Sequence, residues 1–342
     1  FTINPFFANS MQYGTATESG IPSGITVNEN GTPVGADSVK TMPGTASSCE
    51  YEIRSIDQLQ YMNWNCVTQD GVTSITGKDT VKTVQGYTYL GYMYSTYGGN
   101  GRTDIVKNAK YYWNQSHDVD ADMTPGSVEN IFVSVGSLYD SKGGESVAVA
   151  DAYMAYLNGN YDGNTYSIKN VEINSTGTAV GLFGSIIGAN VSNVILYSDK
   201  GNYIQRSVDS PKTWYVMGGL CGLAAAGQKA VSGSAAAITN CTVSGYNIQD
   251  NSTKSAWGDA CVGGMFGMST LNLEKCTAVN KIIVNTVYTN GEGRKSDGVS
   301  VRVGGLVGSM RGTINACYTG GEITCTAACL ENAQNDWGAH LF

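Results

Sequence analysis

Charge is scarce in this chain. Only 14% of its residues are Asp, Glu, Lys or Arg, against roughly 25% in ordinary soluble domains. The 20 basic residues are outnumbered by 28 acidic ones, for a formal net charge of −8. That balance offers no electrostatic footprint for a phosphate backbone, so nucleic acid is excluded as an expected partner. No apolar run approaches the ~18 residues that a bilayer-spanning helix requires, and no membrane-spanning segment is expected. Histidine is almost missing, with only His117 and His340. Both stand far from any Cys pair, and no Cys-x-x-Cys occurs, so the spacing of a zinc site is absent. The Gly-rich run Gly98-Gly99-Asn100-Gly101 lacks a following Lys-Ser or Lys-Thr, which removes a phosphate cradle. No catalytic, cofactor-binding or metal-ligating residue is assigned, and no cofactor is expected.

Glycine and tyrosine fill the space that charge leaves, at 44 and 21 residues. A surface of Gly, Ser, Thr, Asn and Tyr is common in extracellular β-rich proteins. The chain opens on Phe1 rather than Met, which points to a leader or upstream region and fits secretion. Nine cysteines are an odd count, so at least one is unpaired or bonds another chain. Cys49 and Cys66 flank one element and are a candidate disulfide. Cys325 and Cys329 are four apart, close on a helical turn but not on an extended strand.

One phrase is said four times: Gly181-Leu182-Phe183-Gly184, Gly219-Leu220-Cys221-Gly222, Gly264-Met265-Phe266-Gly267 and Gly305-Leu306-Val307-Gly308. A period of roughly forty residues is the signature of a stacked repeat architecture. A second phrase travels with it, in Ile168-Lys-Asn170-Val171, Val191-Ser-Asn193-Val194, Ile238-Thr-Asn240-Cys241, Leu273-Glu-Lys275-Cys276 and Ile314-Asn-Ala316-Cys317. Segments such as Val194-Ile195-Leu196-Tyr197 and Lys281-Ile282-Ile283-Val284 carry strand chemistry, not helical spacing. In a parallel stack, equivalent positions lie about 4.8 Å apart and like residues form ladders. Val171, Val194, Cys241, Cys276 and Cys317 are then expected in one inward column, with the cysteines as buried thiols rather than disulfides. Ala224–Ser234, Asn251–Asp259 and Tyr288–Ser300 read as loops of small and polar residues.

Upstream, Ser55-Ile56-Asp57-Gln58 fits a helix-capping box, and Ile56, Leu59 and Met62 give a short apolar stripe. A helix there would cover the first repeat, since the ends of repeat stacks need shielding. Residues 1–48 collect four of the six prolines and read as an arm or linker with an aromatic tip at Phe1–Phe7. The expected organisation is an arm at 1–48, a capping helix with a Tyr-rich segment at 49–110, and a parallel β-helix at 111–342. The Tyr-rich segment, Tyr87, Tyr89, Tyr92, Tyr94 and Tyr97, reads either as a packed sheet face or as a contact surface for sugars and proteins.

The repeats resemble the GLUG motif of bacterial surface and secreted proteins, found in adhesins and in the repeat regions of immunoglobulin-A-specific metalloproteases. Tyr51-Glu-Ile53-Arg-Ser55 with Asp57-Gln58-Leu59, Tyr112-Trp113-Asn114 through Asp120, and Leu157-Asn-Gly-Asn-Tyr161-Asp162-Gly163-Asn164 are similar to segments that precede such repeats. The resemblance spans roughly residues 51–325. It implies an all-β fold, a right-handed parallel β-helix (solenoid) with a short N-terminal capping helix and an extended arm, outside the cell. It implies a stalk or adhesive role with no catalytic residues. Met265, Cys221 and Val307 depart from the motif, and the protease signature His-Glu-x-x-His is absent.

Three side-chain groups are candidates for chemistry. Asp118, Asp120, Asp122 and Glu129 take positions one, three, five and twelve of a calcium-loop pattern, but Met123 stands where that loop wants Gly, which favours a strand with outward acids. Asp162-Gly163 is a tight-turn signal, and its alternative reading is a catalytic carboxylate on a β-helix. His117 needs a Ser or Cys partner that sequence cannot place. The expected function is therefore a non-enzymatic extracellular structural or adhesive protein of a bacterial surface, an adhesin module or filament subunit. Its partners would be other copies of itself, or host or matrix proteins or glycans. The alternative is a polysaccharide-active enzyme on the same scaffold, and a passive stalk is a third use.

Overall fold

The computed structural model describes the chain mainly over residues 112–127, 160–175, 179–207, 215–225, 237–255, 260–285 and 301–326. Shorter pieces at 26–27, 33–34, 50–56, 59, 132, 134–135, 138–140, 152–154, 157, 177, 287–289 and 328–330 are also described. The fold is all-β, with parallel strands in sheets and almost no helix among the described residues.

From Tyr215 onward, consecutive strands belong to different sheets. From Tyr215–Gly218 the chain passes through Cys221–Ala225, Ala237–Thr239, Thr242–Asp250 and Thr253–Ser255, each in its own sheet. It then returns to the first sheet at Ala260–Gly263 and repeats the same order through Phe266–Ser269, Asn272–Glu274, Thr277–Val284 and Val287–Thr289. A third pass runs from Val301–Gly304 to Ala328–Leu330.

The repeated phrases set the register of these pairings. Phe183 is opposite Cys221, Cys221 opposite Phe266, and Phe266 opposite Val307. Leu182, Leu220 and Met265 are buried in the same hydrophobic cluster as Phe183, Cys221 and Phe266, with Val307 packed against it. Small residues are needed where successive repeats touch through backbone: a Cβ on Gly264 would stand 2.0 Å from the Gly305 carbonyl oxygen. Thr242–Asp250 shows why these segments are strands, since Val243, Ile248 and Asp250 turn inward while their neighbours are less buried.

The column of thiols is in place. The Thr242 N–H donates to Val194 O, Thr277 N–H to Cys241 O and Tyr318 N–H to Cys276 O, each at 2.8 Å. Cys241 and Cys276 are buried, Cys317 is half-buried, and all three are free thiols. Val171 does not belong to this column. Its strand neighbour Ile168 pairs with Leu196, whereas Val191 pairs with Tyr161, so the repeat preceding Val191-Ser-Asn193 is Tyr161-Asp162-Gly163. The tetrapeptide misleads because it encodes a corner rather than a sheet. Asn170, Asn193, Asn240, Lys275 and Ala316 all have left-handed backbone, with φ between 51° and 56°, a conformation that Asn tolerates better than most residues. Two different corners use the same chemistry.

Two expected loops contain strands. Thr253–Ser255 pairs with Val287–Thr289, which pairs with Ala328–Leu330, in a three-stranded parallel sheet. The capping segment is helical at Ile56 and Leu59, both buried, and the Leu59 N–H donates to Ser55 O at 3.1 Å. Within residues 1–48 the described pieces are Thr26–Val27 and Pro33–Val34, which pair antiparallel. Gln58, Met62, the tyrosines between 87 and 97, Gly98–Gly101, Cys49, Cys66, and most of the Ala224–Ser234 loop lie outside the described residues.

Candidate functional site

The acids singled out in the sequence are tied to the next strand. Asp118 accepts from the Ser167 N–H at 2.7 Å and its hydroxyl at 2.9 Å. Asp120 accepts from the Asp122 N–H at 2.9 Å and from Asn170 Nδ2 at 3.2 Å, and pairs with Lys169 Nζ at 2.9 Å. Asp122 pairs with Lys200. Each carboxylate is thus directed at a different donor, and Glu129 lies outside the described residues. No group of three His, Cys, Asp or Glu side chains is arranged so that it could hold a metal ion among the described residues.

These contacts have a pH signature. The Ser167 backbone and hydroxyl hold the Asp118 carboxyl below its usual range. For Asp120, burial pushes upward but is outweighed by Lys169, the Asp122 N–H and Asn170, so its pKa is also lowered. Folded-state pKa values below the unfolded ones give stability that is present above about pH 4 and is lost as pH falls through the folded values. An Asp118→Asn/Asp120→Asn variant is expected to melt earlier than the parent at neutral pH and to lose less on acidification below about pH 4. Thermal melts followed by circular dichroism across that range make the comparison, and identical slopes would show that the two acids do not contribute.

Asp162 behaves as a turn residue. Its Oδ1 accepts from the Asn164 N–H and from Asn193 Nδ2, both at 2.9 Å, and Asn164 and Thr165 follow with φ of 48° and 65°. Asn240 Nδ2 continues the ladder to Asn193 Oδ1 at 2.8 Å. The His117 Nδ1 is 2.8 Å from Ser116 Oγ, an exposed contact between sequence neighbours. Asp118, next in sequence, is engaged by Ser167 instead.

Sequence reasoning missed two buried polar clusters. Arg206 is 1% exposed, and its Nε donates to Gly177 O at 2.7 Å and its Nη1 to Ser252 Oγ at 2.6 Å. Its guanidinium carbon lies 4.0 Å from the Tyr215 ring centroid. The Tyr215 hydroxyl donates to the Asp250 carboxylate, which also accepts from the Ser252 N–H at 3.1 Å. Burial pulls the Arg206 pKa down, opposed by Tyr215 and Asp250. In the second cluster Glu172 accepts from the Gly126 N–H at 2.7 Å, the Tyr203 N–H at 2.8 Å and Asn202 Nδ2 at 3.2 Å, and burial raises its pKa. The signal was strand alternation. Ile204 and Arg206 share one face, as do Ile248 and Asp250, and the apolar member of each pair already points inward.

The remaining surface feature is the end of the sheets at residues 301–330. Ile314 is 52% and Ile323 45% exposed, whereas their register partners in the preceding repeat, Leu273 and Ile282, are each 1% exposed. Tyr318, at the start of the same strand as Ile323, is 63% exposed. Residues with core chemistry therefore meet solvent in the last repeat.

No family model matches the chain, and no curated protein does. A solved structure of a candidate immunoglobulin A1 protease from Bacteroides ovatus is similar at 14% identity over 87% of this chain and 82% of that one, with a TM-score of 0.25. No helix among the described residues is long and apolar enough to cross a membrane.

Proposed function

We propose that the sheets are the walls of one right-handed parallel β-helix built from GLUG-like repeats. We further propose that the protein is a non-enzymatic, extracellular structural or adhesive component of a bacterial surface that associates end to end with other copies of itself. The observation that carries this reading is the exposed last repeat, where Ile314, Tyr318 and Ile323 occupy positions that are more deeply buried one repeat earlier. Among the described residues the Tyr318–Cys325 strand is paired on one side only; such a parallel edge is a template for another strand, and an apolar face beside it adds affinity. At the opposite end of the seven-stranded sheet lies the Glu50–Ile53 strand, also in parallel pairing. Head-to-tail contact between two unlike ends generates an open filament rather than a closed dimer. The low charge fits close approach of copies, since mutual repulsion is weak.

Sedimentation velocity and negative-stain microscopy of the full chain test this. Concentration-dependent rods or fibres are expected, and a Tyr318→Glu/Ile323→Glu variant should weaken assembly at least about tenfold by placing charge in an apolar contact. A parent chain that stays monomeric at every concentration would overturn self-association and leave a host or matrix ligand as the partner. A reducing-end assay on neutral and acidic glycans is the complementary measurement. Turnover that disappears in Asp162→Asn would replace the structural reading with a polysaccharide-active enzyme.

A further inference from the structure

We propose that Cys317 and Cys276 form a thiol–disulfide exchange site, at which a low-molecular-weight disulfide such as cystine oxidises the pair to an internal cross-link between neighbouring repeats. The site would be a point of covalent modification at the exposed end of the sheets, and the proposal does not depend on assembly or on cellular location.

Three observations converge on it. The first is register: Cys241, Cys276 and Cys317 each stand immediately before a strand of the same sheet, at Thr242, Thr277 and Tyr318, and these strands pair in sequence. Adjacent parallel strands lie about 4.8 Å apart, inside the roughly 4.4–6.8 Å Cα separation that disulfides span.

The second is side-chain direction. The thiols of Cys241, Cys276 and Cys317 reach the carbonyls of Thr239, Glu274 and Asn315 at 3.3, 3.4 and 3.3 Å, the same local contact three times. Cys317 Sγ also accepts from the Cys276 backbone N–H at 3.4 Å, so its sulfur leans over the residue it would join. The Tyr318–Cys325 strand is held on one side only among the described residues, by Thr277–Val284, and has room to close the remaining gap.

The third is access. Cys317 is half-buried while Cys276 and Cys241 are buried, so a dissolved disulfide meets Cys317 first. Contact with Cys241, together with its own backbone partners and Cys317, holds the Cys276 thiol below the usual thiol range against the effect of burial. Burial pushes Cys241 well up, which keeps it as S–H, the form that donates to a neighbouring thiolate. Cys276 is accordingly the more readily ionised member, and the thiolate is the attacking species in the step that closes the bond.

The exchange balances in two steps. Cys317, whose pKa burial pushes up, attacks one sulfur of cystine through its minor thiolate form, its proton passing to solvent, which forms a mixed disulfide on Cys317 and releases one cysteine. The Cys276 thiolate then attacks the Cys317 sulfur, forming the Cys276–Cys317 bond and expelling the second cysteine. Two protein thiols give up two protons and two electrons, and cystine is reduced to two cysteines.

The test uses the full chain, reduced, freed of reductant, kept at a concentration where it is monomeric, and exposed to cystine. Tryptic mapping should find the peptide Cys276–Lys281 joined to the peptide that follows Arg311, with fragmentation placing the link on Cys317 rather than on Cys325 or Cys329, and that linked pair should be two hydrogens lighter than its reduced members. In a Cys276→Ala variant Cys317 should instead keep a bound half-cystine, because nothing resolves the mixed disulfide. In the parent, native alkylation should modify Cys317 at least about tenfold faster than Cys241, given their difference in burial; this readout requires no variant to fold. Cystine that leaves the mass unchanged, a link from Cys317 to any cysteine other than Cys276, or equal alkylation of Cys317 and Cys241 would each overturn the proposal.

Discussion

Asp250→Ala is expected to cost about 3–5 kcal/mol, because it leaves the Arg206 guanidinium charged, buried and short of its carboxylate neighbour. Asp250 is wholly buried, and it sits opposite Arg206 in the pairing of Tyr203–Arg206 with Thr242–Asp250. Its carboxylate also receives the Tyr215 hydroxyl and the Ser252 N–H. Arg206 is held in place, since its Nε and Nη1 donate to Gly177 and Ser252 and its face rests on Tyr215. Tyr215→Phe removes a single hydroxyl and should cost less, about 1–3 kcal/mol. Joint replacement of Arg206 and Asp250 by Met and Leu should recover much of the loss, because an apolar pair of similar volume brings no uncompensated charge. Urea titration of the four proteins decides the matter. A double variant no more stable than Asp250→Ala alone would show that packing, not charge pairing, dominates this cluster.

Gly264→Ala is expected to destabilise by more than about 3 kcal/mol, a large effect for one methyl group. The added Cβ would lie 2.0 Å from the Gly305 carbonyl oxygen and 3.1 Å from its carbon. Both are main-chain atoms of the next repeat, so relief requires two repeats to separate and weakens the bond from the Gly264 N–H to Gly304 O, now 3.1 Å. Gly126→Ala serves as the control. A Cβ there meets nothing within 4 Å, and only its φ of +74° opposes the change, worth about 1–2 kcal/mol. Thermal melts of the two variants should therefore differ clearly. Similar losses would mean that backbone conformation, and not the approach of neighbouring repeats, sets the need for glycine at position 264.

The sheet chemistry and most of its register were legible in the sequence because the repeats state them directly. Gly-Leu-Phe-Gly and its relatives place Phe183, Cys221, Phe266 and Val307 in one ladder, and the ladder is present. The cysteine column was legible for the same reason. Val171 was misplaced because apolar-x-Asn-apolar records a left-handed bend after a strand, and bends of that kind occur at two different corners. Thr253–Ser255 and Val287–Thr289 were read as loops because three-residue strands with polar members carry too little alternation to be recognised. The Arg206 and Glu172 clusters were hidden for a different reason. Alternation places Arg206 and Asp250 on the inward faces of their strands, but the partners that satisfy Arg206 and Glu172 lie 29 to 46 residues away in sequence, and no local pattern names them. The acids from Asp118 to Asp122 show the reverse case, where a tempting local spacing dissolves once each side chain is seen with a separate donor on another strand.

From Tyr215 onward the chain visits five sheets in one repeating order, which makes length an adjustable quantity. Thr277 bonds to Cys241 just as Thr242 bonds to Val194. Excising residues 242–276 would join Cys241 to Thr277, present Thr277–Val284 to the strands that Thr242–Asp250 pairs with now, and narrow each of the five sheets by one strand of about 4.8 Å. Recombination between gene segments that encode successive repeats would lengthen or trim the protein in whole repeats, without inventing a new fold at either seam.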